Sequence, residues 1–346
     1  MIETFRDQVR AAAANGTALR IRGGGSKDWY GQAFEGEILD TRGHTGIVDY
    51  EPTELVITAR CGTPLAEIEA VLAEQKQMLA FEPPRFGAAT FGGAIAAGLS
   101  GPRRASSGAV RDFVLGAHLL DGKGELLCFG GQVMKNVAGY DVSRLLAGSL
   151  GTLGLITQAS VKVLPRPFAG TTLRFEIDAT AAIRKLNEWG GQPLPISASC
   201  WHAGVLALRL SGAQAAVDAA VKSLGGQVLP DCAAFWASVR EQQHPFFAGD
   251  APLWRLSLPS TTGAIVVKGE QLVEWGGAQR WLRAGSEDAE AIRRTASAAG
   301  GHATLFRGGD KSVGVFQPLA PAVARIHERL KVSFDPAHLF NPGRMY

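Results

Sequence analysis

The segment of this sequence best suited to binding an anion is a glycine-rich loop near its start. Residues 20–27 read Arg-Ile-Arg-Gly-Gly-Gly-Ser-Lys, so a short strand with alternating apolar residues runs directly into three glycines, a serine and a lysine. Glycine accepts a positive φ angle, and successive backbone N–H groups can then converge on an anion. Ser26 and Lys27 add a hydroxyl group and a positive charge. The loop is therefore a candidate phosphate cradle, although a flexible glycine–serine turn would show the same residues.

A second glycine-dense region lies at residues 88–108. Its central part, residues 89–102, reads Ala-Thr-Phe-Gly-Gly-Ala-Ile-Ala-Ala-Gly-Leu-Ser-Gly-Pro. Small residues at nearly every position let a short helix lie against a flat ligand, or let its N-terminal N–H groups face a phosphate. Close packing of a helix on a sheet would use the same residues. The functional interpretation predicts that the two glycine-dense regions converge in space and form a narrow slot.

Hydrophobic periodicity predicts the elements that position these segments. A helix is expected at about residues 3–14, and a strand at 55–59 leads into another helix. Two strands flank the sequence Asp-Gly-Lys-Gly at 121–124, which is typical of a hairpin. Beyond Pro165 and Pro167, strands and helices alternate in a pattern that favours a mainly antiparallel sheet covered by helices on one side. The prediction is an α+β fold with a first domain at 1–167 and a second domain that begins at 168.

Composition argues against several functional classes. The net charge of +3 comes from 35 basic and 32 acidic residues without blocks of like charge, which argues against nucleic acid or an anionic membrane as a partner. The four cysteines are scattered without a Cys-x-x-Cys pair, and no two of the seven histidines have metal-ligand spacing, so no metal site is predicted. Neither a dinucleotide fingerprint after a strand nor a P-loop motif occurs. The candidate cradle therefore belongs to another architecture.

The start of the sequence lacks the basic and apolar regions of a secretory signal. Its longest weakly polar run, at residues 88–101, is too short and too glycine-rich to span a bilayer. These features predict a cytoplasmic protein with no membrane span of its own, associated with a membrane only through partners.

Several segments, taken in order, resemble the FAD-binding domain of the vanillyl-alcohol oxidase/p-cresol methylhydroxylase flavoprotein family. The matching segments are 22–26, 82–84, 89–93, 100–102, 110–112, 151–157 and 335–343. Within that family, residues 135–141 (Lys-Asn-Val-Ala-Gly-Tyr-Asp) and 339–344 (Leu-Phe-Asn-Pro-Gly-Arg) look most like the flavin-binding subunits of bacterial glycolate oxidase. The resemblance implies a two-subdomain FAD-binding fold at 1–167, an α+β cap at 168–330, and a final segment, 331–346, that returns to the FAD-binding domain.

The resemblance also implies FAD as the cofactor and assigns a set of binding residues. It places the FAD pyrophosphate on the N–H groups of residues 23–27, the adenosine end near Gly154 and Ile156, and Asn341 toward the flavin ring. The full set implied is Arg22, Gly23, Gly24, Gly25, Ser26, Lys27, Glu82, Pro83, Thr90, Gly92, Gly93, Gly98, Ser100, Gly101, Val110, Gly154, Ile156 and Asn341.

Some members of the family attach the flavin covalently through a histidine near the glycine loop. Here Ser26 follows Gly25 and no histidine precedes Arg42, so the resemblance implies non-covalent FAD. Related enzymes that oxidise 2-hydroxy acids carry a histidine cluster in the cap, and this sequence has none after residue 170, so no catalytic residue is assigned. Several arginines could bind a substrate carboxylate, although each also fits a solvated surface position: Arg209, Arg255, Arg280, Arg283 and Arg307.

The expected function is therefore that of an FAD-binding subunit of glycolate oxidase, which converts glycolate to glyoxylate. The implied partners are a homologous flavoprotein subunit, an iron–sulfur subunit and a small 2-hydroxy-acid substrate. Two alternatives remain open from the residues alone: a self-sufficient FAD-dependent D-2-hydroxy-acid dehydrogenase, and a non-catalytic structural subunit of the complex.

Overall fold

The computed structural model describes residues 1–132 and 141–345 and shows a mixed α/β architecture. The helices are α1 (Ile2–Asn15), α2 (Leu65–Glu74), α3 (Phe91–Ala97), α4 (Arg104–Ser107), α5 (Val110–Phe113), α6 (Val142–Leu145), α7 (Ala179–Gly190), α8 (Gln214–Leu224), α9 (Cys232–Arg240), α10 (Ala289–Ala298) and α11 (Pro321–Phe334). The strands are β1 (Leu19–Arg22), β2 (Glu37–Asp40), β3 (Ile47–Glu51), β4 (Val56–Arg60), β5 (Gln77–Met78), β6 (Val114–Leu120), β7 (Leu126–Gly130), β8 (Leu155–Lys162), β9 (Leu164–Pro165), β10 (Ala169–Glu176), β11 (Ile196–His202), β12 (Val205–Gly212), β13 (Gln227–Val228), β14 (Leu253–Ser257), β15 (Glu270–Glu274), β16 (Gln279–Arg283) and β17 (His302–Arg307).

The chain divides into two compact units. The first unit consists of Met1–Ser100, Ala109–Pro165 and Pro318–Tyr346, and the second of Gly101–Gly108 and Arg166–Gln317. The observed division after Pro165 lies close to the boundary at 167 expected from the sequence. The return to the first unit begins at Pro318 rather than at 331, because the whole of α11 belongs to the first unit.

The glycine loop lies in a small subdomain of the first unit. Strand β1 pairs in parallel with β2, and the alternation of β1 directs Leu19 into a core beneath α1. Helix α1 contributes Phe5, Val9 and Ala12 to that core, at the spacing of one helical face. The helix ends at Gly16, whose φ of 66° is the left-handed conformation that glycine favours at a helix C-terminus. The short β1 strand therefore delivers the glycine loop to the edge of a fixed core.

The rest of the first unit is built on a five-stranded antiparallel sheet with the order β3-β4-β8-β6-β7. Strands β6 and β7 form the hairpin predicted from the sequence at 121–124, with Leu120 opposite Leu126. Asp121 holds the turn, because its carboxylate accepts the backbone N–H groups of Lys123 and Glu125 at 2.9 and 2.8 Å. Helices α2 and α3 pack on this sheet and bury a continuous hydrophobic core.

A buried ion pair fastens α11 to the first unit. The Lys331 Nζ atom donates to the Asp335 carboxylate at 2.6 Å and to the carbonyl oxygens of Thr152 and Phe340 at 2.7 and 2.9 Å. The side chains of Lys331 and Asp335 are 5% and 0% exposed. The Asp335 carboxylate also accepts the N–H groups of Leu339 and Phe340. One pair thus joins α11, the segment after it and the loop before β8.

The second unit is an eight-stranded sheet with the order β13-β10-β12-β11-β15-β16-β14-β17, and every neighbouring pair is antiparallel. This confirms the mainly antiparallel sheet predicted from the sequence. Helices α7 and α8 cover one part of the sheet, where Leu186 and Val217 pack against strand leucines. Helix α10 covers another part through Ile292, which packs with Trp254 and Leu282.

Across residues 1–132 and 141–345, no helix combines the length and the apolar character that crossing a bilayer requires.

We expect Lys331→Met to lower the free energy of unfolding by about 3–5 kcal/mol, because it leaves the Asp335 carboxylate buried without its cation. Urea unfolding followed by circular dichroism measures the difference. The matched control is Lys222→Met at an exposed position near the end of α8, where we expect a change within about 0.5 kcal/mol. Equal stability of the two variants would contradict the role assigned to the ion pair.

Candidate functional site

The two glycine-dense segments lie against each other in the first unit. A Cβ atom added to Gly24 would lie 1.4 Å from the carbonyl oxygen of Ala88, and one added to Gly23 would lie 2.3 Å from the Thr90 Oγ1 atom. Neither distance is possible for a real side chain, so the approach of the two segments requires glycine at both positions. The convergence expected from the sequence is present, and its immediate cause is contact between the two segments of the protein itself.

A cleft of about 730 Å³, part of it open to solvent, lies between these segments. The lining residues are Ile21, Arg22, Gly23, Gly24, Gly25, Ser26, Lys27, Asp28, Thr41, Cys61, Thr90, Gly92, Gly93, Ala96, Ala97, Leu150, Gly151, Gly154, Leu155, Ile156, Asn341 and Arg344. The cleft therefore contains twelve of the residues implied by the flavoprotein resemblance, from Arg22 to Lys27 together with Thr90, Gly92, Gly93, Gly154, Ile156 and Asn341.

The backbone of residues 23–26 supplies the donors that a phosphate group requires. Within the described ranges, the N–H groups of these four consecutive residues make no hydrogen bond to the protein, while the N–H groups of Asp28 and Tyr30 close the next turn of the loop. Gly25 has a φ of 71°, which turns the chain as an anion-binding nest requires. Unpaired backbone donors in the wall of a cleft are uncommon without a ligand or water. The loop therefore fits a diphosphate group.

The charges around the loop are arranged as a network. The Asp28 carboxylate forms ion pairs with the guanidinium groups of Arg20, at 2.9 Å, and Arg22, at 2.8 Å. The Lys27 Nζ atom lies 3.2 Å from the carbonyl oxygen of Arg85 and 3.3 Å from the Ser26 hydroxyl, and the side chain is largely buried. Three cationic side chains and one carboxylate thus surround the loop, and the excess of positive charge suits an anionic ligand.

Arg344 holds the glycine loop from the side of the C-terminal segment. Its guanidinium group donates to the carbonyl oxygens of Lys27 and Tyr30 at 3.2 and 3.3 Å and lies over the Phe34 ring at 4.7 Å. Burial lowers the pKa of Arg344 to about 10, so the group stays cationic at neutral pH. Sequence reasoning did not include this residue, although it closes the Leu-Phe-Asn-Pro-Gly-Arg segment that carried part of the resemblance.

Helix α3 forms the opposite wall of the cleft. Thr90 is its N-cap, and the Oγ1 atom accepts the N–H group of Gly93 at 3.3 Å. The N–H group of Gly92 donates to the carbonyl oxygen of Cys61 at 2.8 Å, and a Cβ atom on Gly92 would lie 2.5 Å from the Cys61 Cβ atom. These contacts seat α3 directly against the end of β4, so small residues are required on the packed side of the helix.

Asn341 ties the far end of the chain to the first strand. Its Oδ1 atom accepts the N–H group of Ile21 at 2.9 Å, and its Nδ2 atom donates to the carbonyl oxygen of Leu150 at 2.7 Å. Its own backbone N–H group donates to the carbonyl oxygen of Leu19 at 2.8 Å. The side chain thus positions two walls of the cleft relative to each other, while also lining the cleft.

Cys61 places a thiol in the wall of the cleft, a feature that sequence reasoning did not assign to the site. The residue is 2% exposed, and burial raises the pKa of its thiol to about 12. The thiolate is the nucleophilic form of cysteine, so this group is chemically inert at neutral pH.

Six of the implied residues lie outside the lining of this cleft, and their roles stay predictions. Gly98 ends α3 in the left-handed conformation, and a Cβ atom there would lie 2.6 Å from the Cα atom of Gly148. The Ser100 hydroxyl accepts the N–H group of Val110 at 3.1 Å, so these two residues stabilise the turn after α3. Glu82 and Pro83 lie in the first unit, and Gly101 in the second. The sequence at 135–140 falls outside the described residues.

The described residues show no metal-binding arrangement. Within residues 1–132 and 141–345, no three or more His, Cys, Asp or Glu side chains are grouped to hold a metal ion.

Comparison with known proteins agrees with this geometry. Residues 2–130 match the family described as FAD binding domain. Glycolate oxidase subunit GlcE of Escherichia coli (strain K12) is 52% identical over 345 residues, which cover 99% of this chain and 97% of that protein. Glycolate oxidase subunit GlcD of Bacillus subtilis (strain 168) is 32% identical over 127 residues, which cover 37% of this chain and 27% of GlcD.

Solved structures show the same fold at low sequence identity. Alkyldihydroxyacetonephosphate synthase superimposes with a TM-score of 0.68 at 15% identity, over 98% of this chain and 74% of that one. The flavoprotein resemblance found in the sequence and FAD as the cofactor are both confirmed. With 52% identity along nearly its whole length, this chain belongs to the family of FAD-binding glycolate oxidase subunits that includes GlcE.

Proposed function

We propose that this chain is the FAD-binding subunit of a glycolate oxidase, where it holds FAD non-covalently and takes part in electron transfer during the oxidation of glycolate to glyoxylate. The observation that carries the proposal is the run of four unpaired N–H groups at residues 23–26 in the wall of the cleft. Membership of the GlcE family supports the same assignment.

The loop and α3 would share the binding of the cofactor. The N–H groups of residues 23–26 would hold the diphosphate, and Lys27 would add positive charge beside them. Gly92 and Gly93 would keep the wall formed by α3 free of side chains beside the cofactor, and Gly154 and Ile156, which also line the cleft, would contact its adenosine end. Arg344 and Asn341 are positioning residues that hold the walls of the cleft. Bound FAD supplies a two-electron acceptor for substrate oxidation.

The proposal also assigns different roles to the subunits of the complex. We assign substrate oxidation to a homologous flavoprotein subunit of the complex such as GlcD, which is similar to this chain over 127 residues, and assign no catalytic base to the described residues of this chain. This chain would then relay electrons toward an iron–sulfur subunit. Its cytoplasmic location, with membrane association only through these partners, stays a prediction.

We expect Gly24→Ala to abolish retention of FAD, because its Cβ atom would push the glycine loop away from the Ala88 carbonyl group. Overpacking of this kind also lowers the free energy of unfolding, by roughly 1–3 kcal/mol. The flavin absorbance of the purified protein and a titration of apoprotein with FAD measure the effect. Gly190→Ala is the matched control, because nothing lies within 4 Å of its added Cβ atom. If Gly24→Ala binds FAD as tightly as the control, the cradle is misassigned.

We expect the flavin to be released intact by acid precipitation, because Cys61, the cleft thiol, stays protonated and no histidine precedes Arg42. The absorbance of the supernatant and the mass of the precipitated protein measure this directly. Iodoacetamide labelling provides an internal comparison, in which exposed Cys128 reacts and buried Cys61 does not. Flavin that stays with the precipitated chain would disprove non-covalent binding.

We expect glycolate to leave the flavin of the isolated, FAD-loaded chain oxidised, while the same addition to the assembled complex reduces it. Anaerobic titration with glycolate, followed at the flavin absorbance band, tests this expectation, and dithionite provides the positive control. Rapid bleaching of the isolated chain by glycolate or D-lactate would instead support the self-sufficient dehydrogenase. Full activity of a complex that contains the FAD-free Gly24→Ala chain would support the structural subunit.

A further inference from the structure

The start of helix α11 and the residues just before it are exposed on every side. Each residue from 318 to 326 is exposed, although residues 319–326 read Leu-Ala-Pro-Ala-Val-Ala-Arg-Ile. Only the second half of the helix is fixed to the first unit, where Lys331 pairs with Asp335 and where Leu330 and Phe334 pack on the core. Isolated helices of this length are marginal in water, because most helical stability comes from tertiary packing. The start of α11 lacks that packing.

The large apolar side chains of this exposed segment, residues 319–326, are not scattered. Val323 and Ile326 are 41% and 56% exposed, and Leu319, just before the N-cap of the helix, is 42% exposed. Val323, Ile326 and Leu330 are spaced three and four residues apart, so they form one stripe along the helix. Apolar residues at this spacing are the contacts with which a helix binds in an apolar groove. The stripe therefore has the form of a docking surface.

Two arginines border the stripe on one side. Arg329 lies three residues after Ile326, and Arg325 lies about one turn before Arg329, so the two guanidinium groups share a side of the helix. Both residues are exposed, and neither forms an ion pair in the part of the chain that the structure describes. Glu328 is the only carboxylate in the sequence of α11, so positive charge is in excess. A partner with carboxylates beside its apolar surface complements this face.

The same face does not complement a second copy of itself. A two-fold contact brings a patch against its own copy, and an antiparallel pair of α11 helices would place the arginine sides of both copies together. The helical part, from 321 to 330, is about 15 Å long and about 10 Å across, so its face covers on the order of 150 Å². A stable interface buries about 800 Å² on each partner. The stripe is therefore expected to be one part of a larger interface with a different protein.

We propose that residues 319–326 dock in an apolar groove on another subunit of the glycolate oxidase complex, where carboxylates at the rim of the groove pair with Arg325 and Arg329. The inference rests on the proposed function, since it requires that this chain works within such a complex. It is independent of the flavin cleft, because none of these residues lines that cleft.

Hydrogen exchange of the parent chain provides the first test. In the isolated chain, the amides of residues 319–326 should exchange faster than those of residues 327–334, which the buried ion pair holds. Addition of the purified flavoprotein and iron–sulfur subunits should slow exchange in residues 319–326 at least roughly tenfold. Exchange in this segment that stays unchanged in the assembled complex would overturn the proposal.

A matched pair of variants tests the apolar stripe. Val323→Asp should weaken binding of the purified partner subunits at least roughly tenfold, because it brings an unpaired carboxylate into an apolar groove. Val332→Asp is the control: Val332 is 46% exposed and lies nine residues further on, about two and a half turns, so it is on the opposite side of the helix. It should bind as the parent does. Biolayer interferometry with the immobilised, FAD-loaded full-length chain measures both.

A second pair of variants tests the charge of the partner. Arg325→Glu combined with Arg329→Glu should weaken binding at least roughly tenfold at low salt and reduce its salt dependence, whereas Arg325→Lys combined with Arg329→Lys should stay within about threefold of the parent. Equal binding of the glutamate and lysine variants would overturn the carboxylate rim.

The outcomes separate this proposal from the proposed function. Circular dichroism and flavin absorbance of each isolated variant should match the parent. If the parent does not assemble with the other subunits, the proposed function fails and the docking fails with it. If the parent assembles and Val323→Asp assembles equally well, only the docking is wrong. A parent that is dimeric by light scattering, with a monomeric Val323→Asp variant, would assign the surface to a second copy and also reject the proposal.

Discussion

The cofactor cleft depends on the approach of two backbone segments that leaves no space for a Cβ atom between them. Gly24 lies directly against the Ala88 carbonyl group and Gly23 against Thr90, so the loop after β1 and the segment leading into α3 behave as one packed surface. That contact places four unpaired N–H groups along the cleft. The glycines therefore serve two purposes: they permit the packing, and they keep the backbone accessible to the ligand.

Local chemistry made part of this arrangement predictable from the sequence. The three glycines before Ser26 and Lys27 pointed to an anion site, and the Asp-Gly-Lys-Gly turn pointed to the β6–β7 hairpin, because both signals depend on backbone conformations that few residues accept. The antiparallel sheet of the second unit followed from its adjacent hairpins. The family resemblance added Asn341, whose position in the cleft no local pattern could indicate.

Features that depend on long-range packing were not predictable. The sequence prediction divided helix α11 between the cap and the returning segment at residue 331, since no local pattern shows that the whole helix belongs to the first unit, where Lys331 reaches Thr152 and Phe340. The N-cap of α2 is Pro64, and the Thr63 hydroxyl just before it accepts the N–H group of Gly46 instead of capping the helix. Arg280 looked like any of several surface arginines, because only the structure shows how deeply the antiparallel strands bury it.

The hydrogen bonds of Asn341 have a consequence for the order in which the chain is translated, folds and binds its cofactor. One of them joins Ile21 to a residue 320 positions later in the sequence, so the strand that carries the anion-binding loop cannot reach its final setting until nearly all of the chain has left the ribosome. Loading of the cofactor must therefore follow translation rather than accompany it. A nascent chain stalled anywhere in the second unit would carry the glycine motif without a pocket able to retain its ligand.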